Sequence, residues 1–79
     1  MPTILRKNGF RFFIPTLDHA PPHVHVAKDG AEAKFNLEPT VELVKVEGMK
    51  MKELNEAFAI AGEHRVQFLA AWKTIHPDL

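Results

Sequence analysis

The sequence predicts an α+β fold: an antiparallel sheet of two β-hairpins and a candidate edge strand, one face covered by a long, or broken, C-terminal helix. Three observations carry this. Asn8-Gly9 and Asp29-Gly30 each divide a run of strand-forming residues, and both dipeptides supply the positive φ angles of two-residue type I′ turns. Apolar residues between positions 23 and 36 alternate with the two-residue period of a strand. From Met49 onward the apolar spacing lengthens to three and four residues, as on a helix face.

The first hairpin spans residues 3–14. Thr3 to Arg6 and Phe10 to Ile14 are rich in β-branched and aromatic side chains. The Asn8-Gly9 turn pairs residue 7 with 10, 6 with 11, 5 with 12 and 4 with 13. Leu5, Phe10, Phe12 and Ile14 then share a core face. Ile4 lies opposite Phe13, and Arg6 opposite Arg11, on the other. Two like charges face to face are unfavourable. They fan into water or meet an anion or carboxylate.

Pro15 ends the second strand, and residues 15–22 form a Pro-rich loop. Asp18 is a turn former, and Pro21-Pro22 favours an extended polyproline conformation. Residues 23–36 form the second hairpin. Its register pairs 28 with 31, 26 with 33, 25 with 34, 24 with 35 and 23 with 36. This puts Val24, Val26, Ala31, Ala33 and Phe35 on one face and His23, His25, Glu32, Lys34 and Asn36 on the other; a one-residue slip would mix the two sets. Residues 41–46 form the candidate edge strand after Pro39.

The helical segment covers 50–75. Met51, Leu54, Phe58, Ala61, Phe68, Leu69, Trp72 and Ile75 form its apolar stripe, with Trp72 as the main anchor on the sheet. His76-Pro77 ends it. One straight helix of this length would measure about 39 Å, against roughly 30 Å for a domain of this size. The reading leans toward one long, bent helix whose end is available for homodimerisation. The alternative is two helices joined near Ala61-Gly62-Glu63.

Seventy-nine residues, 46% hydrophobic and 25% charged, describe one small globular domain, residues 1–79. Ten basic residues balance ten acidic ones. That excludes a bulk basic field for RNA or DNA and leaves only local anion sites. The absence of cysteine excludes disulfides and thiolate metal sites. No apolar run of signal-peptide or membrane-spanning length occurs, so the expected location is the cytoplasm and no membrane contact is expected.

Chemistry concentrates in residues 18–28. His19, His23 and His25 fall within seven positions. His23 and His25 share a strand face with Cα atoms about 6.6 Å apart, a spacing two ligands of one ion can use. In the metal reading His19, or Asp18, completes a three-ligand site for zinc or another divalent ion. In the catalytic reading His23 and His25 serve as acid and base, Lys34 lowers the pKa of His25, and Arg6, Arg11, Lys34 and Asn36 hold phosphate, as in an RNA-cleaving or nucleic-acid-binding toxin. In the interaction reading Asp18, His19 and the other histidines bind backbone or a partner protein. His64 and His76 are read as surface or stripe-edge residues.

Several strings carry a resemblance. Met-Pro-Thr-Ile opens the chain, and an aromatic-rich second strand follows. Asp18-His19-x-Pro21-Pro22-His23-x-His25 leads into Gly30-x-Glu32-Ala33, and the tail reads Glu63-His64-x3-Phe68-Leu69-x2-Trp72. Together they resemble the bacterial domain-of-unknown-function 4160 family over nearly the whole chain. The resemblance implies a small soluble protein encoded beside another small protein, in a toxin–antitoxin-like two-gene module, and hence a protein partner from the adjacent gene. Met49-Lys50-Met51-Lys52 departs from the pattern, where a capping Ser or Thr is expected. The reading is a partner-binding component of such a module, with the catalytic and metal readings as alternatives.

Overall fold

β1 (Thr3–Lys7), β2 (Phe10–Phe13), β3 (His23–Lys28), β4 (Ala31–Asn36) and β5 (Glu42–Glu47) form one antiparallel sheet in sequential order, followed by α1 (Met51–Glu63) and α2 (Arg65–Ile75). These elements come from a computed structural model that describes residues 2–78; Met1 and Leu79 lie outside the described residues. The fold is α+β.

Both hairpin turns form as the dipeptides dictate. Asn8 and Gly9 take φ of 54° and 82°, and Asp29 and Gly30 take 50° and 81°. The register of the second hairpin is the expected one at every pair from His23↔Asn36 to Lys28↔Ala31. The first hairpin keeps Lys7↔Phe10, Arg6↔Arg11 and Leu5↔Phe12, but an irregularity between Thr3 and Leu5 places Thr3, not Ile4, opposite Phe13. An extra residue in one strand turns its side chain off the alternation, and Ile4 packs with Leu5 against the core instead of lying on the far face. β5 is an edge strand, shifted one residue from the expected 41–46, with its own irregularity between Lys34 and Phe35 of β4.

The helical segment is two helices rather than one, and the break falls at His64, not Gly62. Arg65 supplies a physical reason. Its Nε donates to the Leu37 carbonyl at 2.6 Å and its Nη2 to that of Pro39 at 3.0 Å. These bonds hold the first residue of α2 against the β4–β5 connection. The longest dimension of the molecule is 35 Å, too short for a straight rod of about 39 Å.

The apolar stripe is also corrected. Ala57, Ile60, Ala61, Phe68 and Trp72 are the buried helix residues, while Met51 and Phe58 stay 69% and 45% exposed. In α1 the buried line therefore runs through Ala57, Ile60 and Ala61, with the half-buried Leu54 packed against the core. Phe58 sits at its margin, edge-on to Phe35 with ring centroids 5.9 Å apart. The core joins these residues to Phe10, Phe12, Ile14, Val24, Val26, Ala33 and Phe35 of the sheet. Among the described residues, no helix is long and apolar enough to cross a membrane.

Candidate functional site

Strand order decides which side chains meet. β2 pairs with β3 so that Phe13 lies opposite His25 and Arg11 opposite Ala27. Cross-strand partners share a face. One row of the outer face therefore reads Phe13, His25, Lys34, Lys45, and the next reads Arg6, Arg11, Ala27, Glu32, Glu47. Arg6, Arg11 and Lys34 do stand on the face of the histidines. The carboxylates of Glu32 and Glu47 lie in the row beside Lys34 and Lys45, so the face is mixed in charge rather than a basic track. Arg11 relieves its pairing with Arg6 by lying over the Phe13 ring at 4.4 Å and donating to Thr3 Oγ1 at 3.3 Å.

The loop before β3 does not run extended into the strand. The Ala20–Pro21 bond is cis, and the segment folds back until Asp18 meets the β3 histidines. His23 donates from Nδ1 to the Pro21 carbonyl at 2.8 Å and from Nε2 to Asp18 Oδ2 at 2.6 Å. Both partners are oxygen acceptors, so each ring nitrogen of His23 faces one. His25 points its Nε2 at the same oxygen from 3.6 Å, beyond hydrogen-bond range, and its Nδ1 lies 3.6 Å from Glu32 Oε1. Asp18 Oδ1 accepts from the backbone N–H of His19 at 2.9 Å and lies 3.0 Å from its ring Nδ1.

The side chains of His23, Asp18 and His25 are 1%, 13% and 20% exposed, against 81% for His19. His23 is thus not the surface residue that its polar-face position suggests. Its ring lies 4.8 Å from Trp72, because α2 closes over the end of the sheet where β3 begins. His25 stacks on Phe13 at 5.2 Å with an interplanar angle of 19° and lines a depression of about 200 Å³ with Glu32, Lys34, Lys45 and Glu47.

Electrostatics follow from this packing. Burial alone would raise the carboxyl of Asp18. The hydrogen bonds from His23 and His19 and the charges of His23 and Lys34 outweigh it and bring the carboxyl down to about 2. His25 is lowered, first by burial and then by His23, with Lys34 adding to the effect and Asp18 and Glu32 opposing it. These effects together favour the neutral ring of His25.

Asp18, His23 and His25 each present one ligand-type atom within 4.8 Å of the others. Of the two residues expected as third member, Asp18 lies within this group and His19 lies at the rim. Sequence reasoning missed His76. It is 7% exposed, donates from Nε2 to the Pro15 carbonyl at 2.8 Å and packs its ring 4.3 Å from Trp72. The signal available was its place directly after the helical stripe. His64 marks the helix break, stacked on Phe68 at 5.9 Å.

Comparison with curated proteins and with solved structures gives no match. A family model described as "Domain of unknown function (DUF4160)" matches residues 9–73. The match runs from the first turn to the end of the core-forming part of α2 and takes in all of Asp18, His19, His23 and His25; the chain belongs to this family.

Proposed function

We propose that this chain is the partner-binding component of a toxin–antitoxin-like two-gene module and that it engages the protein encoded by the adjacent gene through the seam between β5 and α1. The exposure of that seam carries the reading. Leu43, Val44, Val46, Met51 and Phe58 are between 41% and 69% exposed. A groove of about 330 Å³ runs between strand and helix, lined by Phe35, Leu43, Met51, Leu54, Asn55 and Phe58. An exposed apolar groove of this kind on a small domain marks an interaction surface. The irregular register of β5 and its charges Glu42, Lys45 and Glu47 suit it poorly to adding a further strand. The partner's fitting element is therefore the apolar face of an amphipathic helix, anchored by large side chains in the groove.

Co-expression with the adjacent-gene product tests this. A stable complex should co-elute on a sizing column, and Met51→Glu and Phe58→Glu should each abolish it while leaving the far-UV spectrum unchanged. Two monodisperse proteins that ignore each other overturn the reading. So does a homodimer of this chain that the same substitutions dissolve in the absence of the second protein.

A further inference from the structure

We infer that Asp18, His23 and His25 form a three-ligand site for a divalent first-row transition ion, bound through Asp18 Oδ2 and the Nε2 atoms of both histidines. The inference stands on sheet and loop geometry and is independent of the partner-binding seam.

The orientation of the two rings is the main observation. Each imidazole turns its Nδ1 toward an oxygen acceptor, Pro21 O at 2.8 Å for His23 and Glu32 Oε1 at 3.6 Å for His25. Each turns its Nε2 inward toward one carboxylate oxygen, Asp18 Oδ2, at 2.6 and 3.6 Å. Metal-bound histidines characteristically give the outer N–H to a carbonyl or carboxylate; His23 does so to Pro21, while His25 Nδ1 faces Glu32 from just beyond hydrogen-bond range. A second observation is the state of His25. Its Nε2 is buried and has no hydrogen-bond partner in the protein, although a buried polar atom usually finds one. It is aimed at the centre of the cluster.

Two of the three spacings lie near those of an ion's ligands, and the spread of up to 4.8 Å across the three donor atoms closes as the ion is bound. Bonds of about 2.0–2.2 Å place donor atoms of one ion roughly 3–3.5 Å apart. The two distances to Asp18 Oδ2, 2.6 and 3.6 Å, bracket that range. Entry of the ion separates His23 from Asp18 by a few tenths of an ångström and displaces the proton on His23 Nε2 to solvent. The donor set, two imidazole nitrogens and one carboxylate oxygen, selects zinc, iron(II) and their neighbours over calcium and magnesium, which take oxygen ligands. Lys34, opposite His25, adds one ammonium. Asp18 and Glu32 oppose it with two carboxylates, so the immediate surroundings keep a net negative charge. Three protein ligands leave a coordination position for water or another oxygen ligand.

His23 is too deeply packed for a clean deletion, so the test uses its neighbours. The chelator-treated 79-residue chain is titrated with Zn²⁺ alone. One equivalent should bind and raise the melting temperature. Asp18→Asn and His25→Ala, each checked for fold, should lose affinity by more than the roughly 10–100-fold typical of outer-shell changes. His19→Ala should bind as the unaltered chain does. In the unaltered chain, imidazole nitrogen resonances of His23 and His25 should shift on zinc addition, and those of His64 and His76 should not. No saturable one-to-one binding overturns the site. So does undiminished binding by folded Asp18→Asn and His25→Ala, or a response confined to His19, His64 or His76.

Discussion

The imidazole of His23 lies 4.8 Å from the indole of Trp72, so the histidine that faces Asp18 also belongs to the contact by which α2 closes over the sheet. Site and core share a residue. Replacing His23 by Ala removes buried volume beside Trp72 and leaves the Pro21 carbonyl and Asp18 Oδ2 without their donor. The expected loss is about 2–4 kcal/mol of folding stability, a large share of what a domain this small possesses. His25→Ala should cost about 1 kcal/mol, because that ring is partly open to water. Urea denaturation of both variants checks the order; equal losses would contradict the division of roles.

Arg65 joins α2 to the strand connection through two backbone carbonyls, Leu37 at 2.6 Å and Pro39 at 3.0 Å. Hydrogen bonds from a charged donor are worth about 1.5–3 kcal/mol. Arg65→Ala should cost an amount in that range. Arg65→Lys should recover little of it, since an ammonium cannot reproduce the two-pronged guanidinium geometry. Chemical denaturation gives the comparison, and a lysine variant as stable as the unaltered chain would show that charge alone suffices.

Gly62 lies on the exposed side of α1, and a Cβ placed there meets nothing within 4 Å. It bears no part of the helix break, which falls at His64. Gly62→Ala should therefore stabilise the chain by about 0.5–1 kcal/mol through the lower helix propensity of glycine alone. For a chain of this size the melting point should rise roughly 4–8 °C per kcal/mol. An unchanged or lower melting point would mean that Gly62 serves the bend after all.

The contrast between Gly62 and His64 shows what kind of information a sequence carries. The second hairpin was legible because its causes are local: Asp29-Gly30 sets the turn, and the alternation from His23 to Asn36 leaves one register that sorts polar from apolar. The helix break was not, because Arg65 reaches back to Leu37 and Pro39, far away in the chain. In the candidate site, His23 and His25 on one strand face followed from the same alternation. That Asp18 meets the β3 histidines while His19 stays at the rim depends on how the loop folds back. The burial of His23 depends on Trp72, contributed from near the other end of the chain. Each of these requires tertiary contacts that no local pattern records.

The carboxyl of Asp18, held near 2 from an ordinary 3.8, gives a pH signature in the presence of a chelator. A carboxyl depressed by folding contributes stability that is fully present above its unfolded value. That stability is lost as pH falls through its folded value. The window thus runs from about pH 4 down to about pH 2, and the contribution at stake is at most about 2 kcal/mol. Asp18→Asn lacks the charge at every pH. Subtracting its stability from that of the unaltered chain cancels the other carboxylates, which titrate in both. The difference should be constant from pH 6 to about pH 4 and shrink steadily below it, as protonation removes the acceptor that His23 and His19 address. Urea titrations at stepped pH measure it. A difference that stays flat to pH 2, or one that already declines at pH 6, would assign the stabilisation to another group.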